Sequence, residues 1–204
     1  MVTAIRIYVE GGGNTWATRS RLREGFHGFF TTLRELARQK RIRWDVIPSG
    51  SRKDAFDDFI TAQGSHPDSW IVLLVDAEGA VAAPPRAHLK RRDGWDLSAA
   101  KEDQVHLMVQ AMEAWLLADP EALAHYYSQD FNPNSLPKRQ NLEEEPKADL
   151  YAALEAATRK TQKGEYAKVA HASDLLARVD ARKSQARAPH CKRLFDTVRA
   201  KIES

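Results

Sequence analysis

The sequence predicts an α/β protein: a mostly parallel sheet flanked by helices, with a helical C-terminal region. Three observations carry this. Short β-branched and aromatic runs near 4–9, 42–47 and 70–75 alternate with stretches of helical periodicity. The run Trp70-Ile71-Val72-Leu73-Leu74-Val75 is continuously apolar, as a strand covered on both faces requires. From 147 onward the pattern is helical, with no strand signal.

Residues 4–9 form the first expected strand, broken by Glu10-Gly11-Gly12-Gly13-Asn14. From about 18 to 39 apolar residues recur at three- and four-residue spacing: Leu22, Phe26, Phe29 or Phe30, Leu33, and Leu36 or Ala37. A second strand spans 42–47 and ends at Pro48-Ser49-Gly50-Ser51. Ser51 or Asp54 can cap the next helix, which runs to about 63 with Ala55, Phe56, Phe59 and Ile60 on its buried side, and Gly64 stops it. The third strand, 70–75, ends at Asp76-Ala77-Glu78-Gly79. A looser charged stretch follows over 80–103, then a fourth strand over 105–109 and a helix from Met112. Asp119-Pro120 reads as an N-cap and first turn for 120–127. Residues 128–147 read as an exposed loop or hinge, and helices are expected over 148–159, 166–178 and from 189. The expected division is an α/β core over 1–127, with the helical region 128–204 packed on it.

The chain has 204 residues, 43% of them hydrophobic and 29% charged, enough for one sizeable core. The N-terminus shows no secretory pattern, and no apolar stretch approaches the ~18 residues that span a bilayer. With one cysteine, Cys191, an internal disulfide is excluded, and a cytoplasmic location is expected. Net charge is +3, unevenly spread. Arg19, Arg21, Arg23, Arg34, Arg38, Lys40, Arg41 and Arg43 load one segment; Lys90, Arg91 and Arg92 form a cluster; the C-terminal helices are basic too. Such stripes suit nucleic acid or another polyanion; the alternative is solvated helix faces.

Four constellations carry chemistry. Val9-Glu10-Gly11-Gly12-Gly13 lacks the Lys and Ser/Thr that a phosphate-binding P-loop needs. Trp16 stands where a dinucleotide loop needs its third glycine. Glu10 is then a metal ligand or a general acid/base, unless it is the solvent-facing end of a tight turn. Asp76 and Glu78 sit two apart at the end of a buried strand; if the extended form persists, both project to one side, an arrangement that suits a hard divalent cation. Glu113, just after the fourth strand, can complete the acidic set. Lys168 can offset phosphate charge, and His171 can assist proton transfer. Trp115 reads as core, and His190-Cys191 lacks a second ligand pair for zinc.

A glutamate ending strand one and an acidic pair ending strand three, on a strand–helix–strand–helix–strand frame, resemble the Toprim domain of topoisomerases, primases and overcoming-lysogenization-defect nucleases. The pair here is Asp76-x-Glu78, where that domain usually carries Asp-x-Asp. A wider set of stretches resembles a Toprim-like bacterial family, domain-of-unknown-function family 4276. These are Tyr8 to Gly13, Arg23-Glu24-Gly25-Phe26, Val75 to Gly79, Glu113 to Asp119, Tyr166-Ala167-Lys168 to His171, Leu175-Leu176 and Pro189-His190-Cys191. The resemblance implies a Toprim-like sheet and a nuclease-type phosphodiesterase using Mg²⁺ or Mn²⁺. Glu10, Asp76, Glu78 and Glu113 would be metal ligands, and these four with Lys168 the catalytic set. It also implies DNA or RNA as substrate, an ATPase partner of the ABC or structural-maintenance-of-chromosomes type, and a role in phage defence. Two alternatives stand beside it: a non-catalytic partner or sensor subunit of an ATPase complex, and hydrolysis of nucleotides or small phosphoesters.

Overall fold

The computed structural model describes residues 2–204. Four strands form one all-parallel sheet: β1 (Ala4–Glu10), β2 (Arg43–Gly50), β3 (Ser69–Asp76) and β4 (Val105–Met108). Their order is β2-β1-β3-β4. The chain therefore steps from β1 outward to β2, then crosses back to the far side of β1. The crevice between the carboxyl ends of β1 and β3 is a topological switch point, where ligands bind in open α/β sheets.

Alternation along the strands sends side chains to two cores. Ile5, Ile7 and Val9 of β1 join Val72 and Leu74 of β3 on one face, with α1 (Trp16–Phe29) and α2 (Thr31–Gln39) against them. Tyr8, Ile71, Leu73 and Val75 turn to the other face, covered by α3 (Arg52–Ser65) and α4 (Pro85–Asp93). Both faces are buried, which accounts for the unbroken apolar run in β3.

Several elements match the sequence reading and some differ. Ser51 caps α3 in a reciprocal box with Asp54. Asp119 caps α6 (Pro120–Tyr127), accepting from Ala122 N; α5 (Glu113–Leu117) precedes it. The single helix expected over 18–39 is two, broken at Phe30, whose backbone (φ −91°, ψ 16°) leaves the α-helical range. β2 runs on through Pro48 to Gly50, which a sheet edge permits because that proline owes no ladder hydrogen bond. α3 passes Gly64 to end at Ser65, and Ile60 is exposed rather than buried. The stretch 80–103 contains α4, started by Pro85 and ended at Gly94 in the left-handed region. Leu136, Leu142 and Glu143 are buried, so the segment before α7 (Lys147–Thr158) is pinned down. α8 (Lys168–Leu176), α9 (Ala181–Arg187) and α10 (Pro189–Glu203) complete the chain. None of the helices among the described residues is long and apolar enough to cross a membrane.

The C-terminal region is built into the first core. α8 lies along α1, and α10 lies against α2 and β4. Two glycines let α1 and α8 approach closely. A Cβ on Gly25 would sit 2.6 Å from Ser173 O, and one on Gly28 would sit 2.7 Å from Ala177 Cα. Gly28→Ala should cost about 1–3 kcal/mol through overpacking, read as a lower urea midpoint. Gly64→Ala, in open space near the end of α3, should leave the midpoint unchanged or raise it slightly.

Candidate metal centre

The switch point gathers three carboxylates. One ligand oxygen each from Glu10, Asp76 and Glu78 lies within 4.8 Å of the others. Glu10 and Asp76 are neighbours because β1 and β3 pair in register, Val9 opposite Leu74. Asp76 N donates to Glu10 Oε2 at 3.2 Å. The third arrives differently from the expected extended geometry. β3 ends at Asp76, and Glu78 has φ +65°. That left-handed backbone costs a non-glycine residue roughly 1 kcal/mol. Backbone bonds hold it there: Ala77 N donates to Met108 O and Glu78 N to Gln110 O, both at 2.8 Å.

The glycine loop after β1 shapes the opposite wall. Gly11 and Gly12 have φ of +116° and +85°. A Cβ on Gly12 would stand 3.1 Å from both Arg19 and Pro48. The loop thereby turns sharply into α1 and leaves a cavity of ≈ 240 Å³ beside the carboxylates. Gly11, Leu22, Met108, Met112 and Val169 line it, with Glu10, Asp76 and Lys168.

Each carboxylate meets a cation. Arg52, first residue of α3, donates to Glu10 Oε2 at 3.0 Å and to the Asp76 carbonyl, while its fork grips Asp93 at 2.9 and 2.8 Å. Lys147 Nζ donates to Glu78 Oε1 at 2.5 Å, with Arg92 at 4.0 Å from the same carboxylate. Lys168 Nζ donates to Asp76 Oδ2 at 3.0 Å and to Tyr151 OH at 3.2 Å. Asp76 Oδ1 accepts from Met112 N at 2.8 Å.

Proton affinities follow these contacts. Burial and then the neighbouring Asp76 raise the Glu10 carboxyl above its ordinary value, against the pull of Arg52. Burial also pushes Glu78 up, but Lys147 and then Arg92 outweigh it, and its carboxyl lies below the ordinary value. Burial pulls the Lys168 ammonium down; Asp76 and Glu113 more than reverse this and keep it protonated.

Glu113, also expected as a ligand, is not in the trio. It is wholly buried. Its Oε1 accepts from Tyr166 OH at 2.8 Å, and its Oε2 lies 3.5 Å from Lys168 Nζ without a hydrogen bond. Its link to the site is Lys168. His171 faces away toward Tyr127, whose OH lies 3.1 Å from His171 Nδ1.

The donor set fits a hard cation: three carboxylates in reach of one another, all oxygen ligands. Glu10, Asp76 and Glu78 can hold a metal ion. Sequence reasoning missed Arg52, Lys147, Asp93 and Tyr151. Arg52 had a signal, since it directly follows an N-cap at a strand's carboxyl end; Lys147 had none, sitting beyond a segment read as loop.

Residues 9–199 match the family described as a domain of unknown function, DUF4276. The chain belongs to this family. The match spans Glu10, Asp76, Glu78, Glu113 and Lys168, so the carboxyl end of the sheet and the C-terminal helices fall inside one family unit. No curated protein and no solved structure matches the chain.

Mn²⁺ should stabilise the wild-type protein in a concentration-dependent way, by about 2.7 kcal/mol at roughly a hundredfold excess over Kd, read as a rise in melting temperature. Asp76→Asn keeps an acceptor for Met112 N but removes the charge. Differential scanning fluorimetry should show the rise abolished in that variant.

Proposed function

We propose that this protein is a metal-dependent phosphodiesterase of the Toprim type, a nuclease acting on DNA or RNA with Mg²⁺ or Mn²⁺. The observation that carries this reading is the carboxylate trio at the switch point, with Lys168 against Asp76 and an adjoining cavity. Its support is chemical. Hard cations prefer carboxylate oxygens, and phosphodiesters need a nearby positive charge where negative charge develops.

In this reading Glu10, Asp76 and Glu78 hold the cation, whose part is Lewis-acid polarisation of a phosphate oxygen. Arg52 and Lys147 neutralise the carboxylates before the cation arrives. Lys168 is placed to offset charge on the phosphate, being protonated and anchored by Tyr151 and Glu113. Glu113 and Tyr166 act through Lys168 as positioning residues. The glycine loop lets a phosphate approach the edge without side-chain obstruction.

One observation favours a second reading, a non-catalytic partner or sensor subunit of an ATPase of the ABC or structural-maintenance-of-chromosomes type. Each carboxylate already has its own cationic partner, so the cluster is neutralised without a metal.

Incubation with labelled single- and double-stranded DNA and RNA in Mn²⁺ or Mg²⁺ separates the two. The nuclease reading expects cleavage by the wild type and a loss of at least about a hundredfold in Asp76→Asn, as for removal of a charge-stabilising group. Lys168→Met should lower the rate with the metal-induced melting shift retained. No cleavage of any substrate, alone or with the ATPase, together with capture of that ATPase, would establish the second reading instead.

A further inference from the structure

β2 is one of the two edge strands of the sheet, and a row of arginines follows it from end to end. At its carboxyl end Arg19 Nε donates to Gly13 O at 3.1 Å, and its guanidinium lies beside Gly50. One helical turn on, Arg23 Nε donates to Val46 O at 3.1 Å, midway along the strand. The four-residue spacing keeps both on one face of α1. At the amino end Arg34, Arg38, Arg41 and Arg43 line a single surface concavity together with Trp44.

These arginines differ from those at the acidic edge. Arg52 and Arg92 are ion-paired. In the row, only Arg43 makes an ion pair among the described residues, sharing Asp45 with Arg6 at 3.3 and 3.6 Å. Arg34 Nη1 donates to the His27 carbonyl at 3.0 Å and makes no ion pair among the described residues. A line of guanidiniums with few ion-pair partners repels itself and is relieved by an anion that runs its length.

We propose that this row is a docking track for the phosphodiester backbone of a nucleic-acid strand, leading from the amino end of β2 to the glycine loop beside Glu10 and Asp76. The track spans the 8 residues of β2, roughly 25 Å at ~3.3 Å per residue. Guanidinium forks match phosphate oxygens bidentately, and the contacts carry no base information. The choice of nucleic acid over another polyanion rests on the phosphodiesterase reading; the surface itself does not require cleavage.

The test is fluorescence anisotropy with a labelled single strand long enough to follow the row, in EDTA, titrated with salt. R38Q/R41N removes two exposed, unpaired charges, and asparagine suits the left-handed backbone at 41, where φ is +59°. The slope of log Kobs against log salt should fall by about 1.4, with about a tenfold weaker affinity at low salt. R139Q/R182Q removes two ion-paired arginines outside the row and should leave the slope unchanged. Equal slopes for wild type and R38Q/R41N, or no binding by wild type, would overturn the track. Binding that follows the expected pattern without cleavage in Mn²⁺ would keep the track and remove the nuclease reading. Cleavage with equal slopes would do the reverse.

Discussion

Carboxylates whose oxygens lie within 4.8 Å of one another, partly withdrawn from water, repel unless positive charge stands between or beside them. Glu10, Asp76 and Glu78 are in that position because β1 and β3 are neighbours and end together. Much of the surrounding architecture can be read as the answer to this repulsion. Arg52 comes from the start of α3, Lys147 from the start of α7 and Lys168 from the start of α8. Three helices, α3 far in sequence from α7 and α8, converge on one end of the sheet, each with a cation in its first turn. A basic residue at a helix N-terminus opposes the macrodipole, so these positions are unfavourable locally and are offset by the carboxylates they meet.

This constraint also ties the C-terminal region to the sheet. Lys168 reaches Asp76 across 92 residues of sequence. It does so because α8 lies against α1, an approach set by Gly25 and Gly28. Tyr166 and Glu113 then fix the segment that carries Lys168 from behind, in a wholly buried contact. The candidate site is therefore shared between the α/β core and the helical region, and neither part contains it alone.

The fold was legible because its elements carry strong local signals. β3 is an unbroken apolar run, Ser51 and Asp119 are conventional caps, and the turn residues fall where strands end. What escaped was set by tertiary packing. The break at Phe30 has no proline to mark it, with Gly28 still inside α1, and α4 is a strongly polar sequence that reads as loop. At the site, the acidic strand ends could be found because two of them coincide on one frame. Of their cationic partners Lys168 was read from the sequence; Arg52 carried only its place after a cap at a strand's end, and Lys147 resembles any exposed basic residue until the fold places it. The turn at Glu78 shows the same limit: its carboxylate enters the trio through a left-handed backbone, not through a continuing strand.

If the carboxyl ends of β1 and β3 form a cation site and not only an ion-pair network, a metal ion should displace the basic side chains there. A crystal structure soaked with Mn²⁺, read by anomalous scattering, addresses it directly. The account predicts a peak between Glu10, Asp76 and Glu78, with carboxylate oxygens at ~2.0–2.6 Å and with the Arg52 and Lys147 side chains withdrawn. Anomalous density absent from this edge, with Arg52, Lys147 and Lys168 still on their carboxylates, would contradict it.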